Sequence, residues 1–137
     1  MQRLLNILFF SFVVFTACVA DSMMNKSDLT SILQQVVNAK QLSEYYHADV
    51  LPERIPLRLL ENEWIDKEIA LTALGRRVEI LSKSDADVPY LEISNVEISG
   101  ESARVSFRYP PEGLVGIAEL SRSDEHWVLD SMTLHER

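Results

Sequence analysis

The chain carries one cysteine, four glycines and five prolines in 137 residues. A single cysteine excludes an internal disulfide framework and any zinc cluster built on cysteines. With so little glycine there is no Gly-x-Ser-x-Gly nucleophile elbow, no phosphate-cradling loop and no paired-glycine dinucleotide motif. Basic residues are also scarce: 13 Lys and Arg against 21 Asp and Glu give a net charge of −8. Phosphate binding needs cations to displace counterions, so nucleic acid is not an expected partner. His47, His126 and His135 share no i, i+4 spacing and no Glu-flanked pair. Asp85-Ala86-Asp87 is too short a run of oxygen ligands for a calcium loop. No metal, no cofactor and no catalytic residue is therefore expected. The length suits one domain.

Long apolar runs are missing too, except at the start. Leu4 to Phe15 is Leu, Ile, Phe and Val interrupted by Asn6 and Ser11, preceded by Arg3 and followed by Thr16 and Ala17. A charged start, an apolar middle and small residues at the end make a secretory signal over residues 1–17. The run is shorter than the roughly 20 residues of a spanning helix. The only cysteine, Cys18, sits where such a signal is cut. Phe15-Thr16-Ala17-Cys18 resembles the lipobox of bacterial lipoproteins, with Phe15 standing where Leu is usual. The resemblance implies an acylated Cys18 as the mature N-terminus, anchored in a membrane by two or three acyl chains. Val19 after the cysteine resembles outer-membrane sorting in enteric-type bacteria. The alternative is ordinary cleavage after Ala20, which would release a soluble periplasmic chain starting at Asp21.

Processing changes the balance. Four of the five Phe leave with the signal, and so does Arg3, so 12 basic residues face 21 acidic ones at a net −9. About 119 residues remain, enough for one core without staples. Residues 18–26 read as a tether and residues 27–137 as a single periplasmic domain.

Ser27 suits a helix N-cap with Asp28 in the first turn. Leu29, Ile32, Leu33, Val36 and Val37 repeat at helical spacing, which predicts a helix from about Asp28 to Tyr46. Pro52 and Pro56 break helix, and Ile55 to Glu61 then reads as a strand. Ile69 to Leu74 fits a short helix closed by Gly75, or a strand turning there into Val78 to Leu81; strand is preferred. Tyr90 to Ser99 alternates but slips by one between Ile93 and Val96, which predicts a bulge near Ser94-Asn95. Ala103, Val105, Phe107 and Tyr109 share one face of the next strand, opposite Arg104, Ser106 and Arg108. Leu114 to Ser121 and Trp127 to Leu134 complete the pattern, separated by a polar turn at Arg122 to His126.

One helix followed by a meander predicts an α+β fold, the helix packed on a curved antiparallel sheet of about five to six strands. Ser102-Ala103-Arg104-Val105, followed about 25 residues later by His126-Trp127-Val128-Leu129, resembles the C-terminal half of cystatin-like and NTF2-like domains. That resemblance implies a cone between helix and sheet which could hold a ligand. Glu92, Glu97, Glu119 and Asp130 are then the acids available as a general base, although acids alternating with apolar residues are the usual wet face of a sheet.

The clearest recognition candidates are Tyr45, Tyr46 and His47 at the predicted helix end, with Trp64. Their apolar bodies and polar tips suit an interface. The plainer reading packs a tyrosine under the helix and sets Trp64 at the core edge. Arg76-Arg77 beside Gly75 reads as a turn with solvated charges; the alternative is a lipid-headgroup contact, although such patches usually need 4–8 basic residues.

The expected function is a small, non-enzymatic envelope lipoprotein. Its partners are the membrane, through Cys18, and an envelope protein that a net −9 domain would favour as cationic. An inhibitor or immunity protein against an envelope-directed hydrolase is one concrete form. The alternative is an NTF2-like binder or enzyme. It requires Glu97, Arg108 or Asp130 to face a cavity, rather than Phe107, Tyr109 and Trp127 filling it.

Overall fold

The computed structural model describes residues 24–137. Cys18, the signal segment and most of the expected tether lie outside the described residues. Helix α1 spans Lys26–Val37. The cap is Asn25, not Ser27: its Oδ1 accepts from the Ser27 N–H at 2.9 Å. Asn is as good a cap as Ser, and it frees Ser27 and Asp28 for the first turn. The predicted stripe is the buried one: Leu29, Ile32, Leu33, Val36 and Val37 all enter the core.

The helix does not reach Tyr46. Asn38 leaves it, and Ala39 is extended at φ −58°, ψ 129°. The Asn38 side chain donates to the Gln34 carbonyl at 3.2 Å and to the Thr72 carbonyl at 3.1 Å. Such side-chain bonding to backbone competes with helix propagation. A second helix, α2 (Lys40–Ser43), and a 3-10 turn over Glu44–Tyr46 follow. His47 ends the turn in the left-handed region at φ 50°.

Strands β1 (Arg58–Leu60) and β4 (Glu79–Leu81) form a parallel pair. Between them, β2 (Thr72–Ala73) and β3 (Arg76–Arg77) make a hairpin. The preferred strand reading of 69–74 holds for its last residues, and the chain turns at Leu74-Gly75. Strands β5 (Glu92–Ser99), β6 (Ser102–Tyr109), β7 (Leu114–Ser123) and β8 (His126–Glu136) form an antiparallel sheet in sequence order. The architecture is α+β, but the antiparallel sheet has four strands rather than five or six. The two strands expected at 55–61 and 78–81 pair with each other in parallel instead, which the crossover through residues 61–78 makes possible. A single bridge, Leu59 to Leu91, joins that pair to the sheet.

Register is set by the two-residue alternation. Ala103, Val105, Phe107 and Tyr109 are buried, and the predicted slip in β5 lies between Ile93 and Asn95. A second slip, between Glu119 and Leu120, leaves Asp130 without a register partner on β7, although its carboxylate accepts from the Ser121 hydroxyl at 2.9 Å. The polar turn before β8 narrows to Asp124-Glu125, both at positive φ (48° and 67°). A hairpin turn of that type follows the right-handed strand twist. Helix α1 closes over the sheet against β8, where the Trp127 indole N–H donates to the Asp28 carboxylate at 3.2 Å.

Candidate functional site

The recognition candidates fall into two places. Tyr45, Tyr46 and His47 lie just beyond α2, where the turn and the left-handed His47 reverse the chain. Tyr46 points inward. It is 1% exposed, and its hydroxyl donates to the Val37 carbonyl at 3.1 Å. That bond satisfies one of the carbonyls left open at the end of α1. Its ring meets Tyr109 edge to face, with centroids 5.5 Å apart and planes at 75°. Burial, then the neighbouring Tyr109, drive the Tyr46 phenol far above its ordinary range. Tyr46 is thus a packing residue, as the plainer reading had it.

His47 is exposed and Tyr45 is half-buried against the core, both beside groups that the sequence did not single out. Arg54 Nη1 lies 2.6 Å from Glu112 Oε1 and 3.4 Å from the Tyr45 carbonyl. His47 Nε2 is 3.5 Å from the same Glu112 oxygen. The Arg54 guanidinium stands 5.9 Å from the Tyr109 ring centroid, within cation–π range. Partial burial and the Glu136 carboxylate raise the Tyr45 phenol. Burial raises Tyr109 as well, opposed by Arg54 and supported by Glu112. The result is one rim of Tyr45, His47, Arg54 and Glu112 resting on the buried Tyr46–Tyr109 pair. Glu112 arrives on the 3-10 turn Pro110–Glu112, which Gly113 closes at φ 60°. Nothing local in the sequence ties the Pro110-Pro111-Glu112-Gly113 turn to Arg54.

Trp64 is not part of this rim. It lies along the first half of α1, whereas Tyr46 is bonded to the last residue of α1. With Leu29, Ile69 and Ala70 it forms the apolar part of a groove of about 430 Å³ that Lys26, Asp66, Glu68 and hydroxyl side chains of α1 also line. Lys26 spans the groove's edge, 3.7 Å from both Asp66 and Glu68. Asn62 holds the Trp64 segment, accepting from its backbone N–H at 3.0 Å and donating to the Ile93 carbonyl at 2.6 Å.

The space beneath the helix is occupied by side chains. Phe107, Tyr109 and Trp127 are buried there, and among the described residues no charged side chain is buried and no polar one beyond tyrosine and tryptophan. Glu97, Arg108 and Asp130 are exposed instead. On the outer sheet face Arg108 pairs with Glu92, and Arg104 Nη2 pairs with Glu119 Oε1 at 2.7 Å. Glu97, Arg104, Glu119 and Asp130 rim a shallow depression of about 310 Å³ on that face. Among the described residues, no group of three or more His, Cys, Asp or Glu could hold a metal ion, and no helix is long and apolar enough to cross a membrane. Comparison with family models, curated proteins and solved structures finds no match to this chain.

Proposed function

We propose that the chain is a small envelope lipoprotein, anchored through Cys18, whose α+β domain binds or scaffolds another envelope protein without catalysing a reaction. One observation carries the domain's part of this reading. Its chemistry-bearing side chains lie on the outside, many of them paired with one another, around an interior filled by apolar and aromatic groups. Surface recognition needs such a rim, whereas a small-ligand site needs convergent polar groups in a cavity. The rim of Tyr45, His47, Arg54 and Glu112 offers aromatic faces and a fixed ion pair on a rigid base. The net −9 of the processed chain favours a cationic partner. Placement at the periplasmic face of the outer membrane rests on the lipobox-like segment and Val19.

Two measurements test the proposal. The intact mass of the protein from its host's membrane fraction should match a chain starting at acylated Cys18. A soluble chain starting at Asp21 would overturn the anchor. Photo-crosslinking residues placed at Tyr45 and His47 in the native host should yield one discrete protein adduct, absent when the probe is moved to Thr133 on the outer sheet face. No adduct, or equal adducts at all three positions, would overturn the recognition role of the rim.

A further inference from the structure

We propose that the β2–β3 hairpin is a second membrane contact, lying against an anionic bilayer surface once the chain is anchored. This rests on the anchored reading above. The hairpin tip is built unusually. Its two turn residues, Leu74 and Gly75, both have positive φ, at 55° and 74°. Asn, Asp and Gly are the residues that suit such a turn; a leucine is strained there and has no packing role to compensate. Leu74 is 40% exposed. Nothing lies within 4 Å of a Cβ built on Gly75, so the tip stands clear of the rest of the protein. Strain held at an exposed apolar tip points to a use outside the fold.

Charge singles out the same place. Arg76 and Arg77 follow the tip, and both are exposed. Neither forms a salt bridge among the described residues, whereas Arg54, Arg58, Arg104, Arg108 and Arg122 all do. Residues 69–78 hold no acid in a chain with 21 of them. The acids that bound this stretch, Glu68 and Glu79, lie 3.7 Å from Lys26 and 3.4 Å from Arg58. Lys67, Arg77 and the Arg58-paired Glu79 flank a shallow depression of about 510 Å³ floored by Ile69 and Ile80. An exposed leucine beside three cations matches the interfacial layer of a bilayer, where apolar tips enter the acyl boundary and cations meet phosphates. Three cations fall short of a free-standing patch. They suffice when an acyl anchor already holds the domain at the surface, because the second contact is then intramolecular.

The hairpin is rigidly placed for this. The Gln34 side chain both donates to the Thr72 carbonyl at 2.7 Å and accepts from its N–H at 3.1 Å. Asn38 adds its bond to the same carbonyl. The base of the hairpin is therefore fixed beside the C-terminal end of α1. Fully extended, residues 19–25 would span about 25 Å, against about 18 Å for the length of α1. The anchor can reach a bilayer that touches the tip.

The test uses residues 18–137, which include every core residue. Cys18 is the only thiol, so it can be coupled to a maleimide lipid in preformed vesicles. Amide hydrogen exchange is then compared on phosphatidylcholine vesicles with and without phosphatidylglycerol. Exchange at Leu74 to Arg77 should slow at least about fivefold on the anionic vesicles. The charge reversal Arg76→Glu with Arg77→Glu should abolish the slowing. Leu74→Asn, which suits the left-handed tip and keeps the fold, should weaken it. Equal exchange on both vesicles, slowing retained after charge reversal, or slowing at Tyr45 to His47 instead would overturn the proposal. The thioether supplies the anchor here, so failure of the natural acylation is detected separately, by intact mass.

Discussion

The ring of Phe107 lies over Gly116, its register partner on the neighbouring strand. A Cβ at position 116 would overlap that ring and the Leu134 side chain. Glycine in a strand marks such a close approach, and here the aromatic covers the gap left by the missing side chain. Gly116→Ala should therefore cost about 1–3 kcal/mol in urea unfolding through overpacking. Phe107→Leu should recover part of that loss in the double variant, giving a coupling well outside additivity.

Tyr46 and Val37 define a second expectation. Tyr46→Phe removes the hydroxyl and leaves a helix-end carbonyl buried without its partner. The loss should be about 1–3 kcal/mol by denaturant or thermal unfolding.

The same phenol sets the alkaline limit. The folded pKa of Tyr46 is raised far above the unfolded value of about 10, and that of Tyr109 is raised too. The neutral form is favoured by folding, so this contribution is fully present below about pH 10. It is lost as pH rises beyond that, because the unfolded chain releases protons that the folded one keeps. Stability measured between about pH 9 and 11.5 should fall, and Tyr46→Phe should flatten the slope. An unchanged slope would mean that Tyr46 reaches solvent.

The Arg54–Glu112 pair should matter more than the other surface pairs, because the Arg54 side chain is only 12% exposed. A double-mutant cycle with Arg54→Met and Glu112→Gln should give a coupling of about 1 kcal/mol. The Arg104–Glu119 pair, with both side chains at least half exposed, should give less.

Leu74→Asn should raise stability by about 1 kcal/mol, since Asn tolerates the left-handed region that Leu resists. A stability gain accompanied by weaker membrane contact would separate the strain of the tip from its use.

Elements fixed by local periodicity were legible in the sequence. The buried stripe of α1, the alternation in β6 and the bulge in β5 each follow from spacing within a few residues. The end of α1 was not, because Asn38 is held by Thr72, which lies 34 residues further on. The parallel β1–β4 pair depends on a crossover whose handedness and packing leave no periodic trace. Of the candidate site, Tyr45 and His47 were legible as polar-tipped residues at a helix end. Arg54 and Glu112 were not, being 58 residues apart with no motif between them. Grouping Trp64 with the tyrosines assumed that nearness in sequence meant nearness in space. The segment after β1 instead carries Trp64 back along α1.

The contact between Asp28 and Trp127 spans 99 residues. Ribosomes release a chain N-terminus first, and so do export channels. Helix α1 therefore emerges with its apolar stripe and must wait for nearly the whole polypeptide before β8 can cover it. The β5–β8 hairpins close locally and can form quickly, but the core is sealed only by its most distant pair. The exposed interval is set by how fast the remaining chain is delivered. During that interval the newborn helix is a natural client for a holding chaperone.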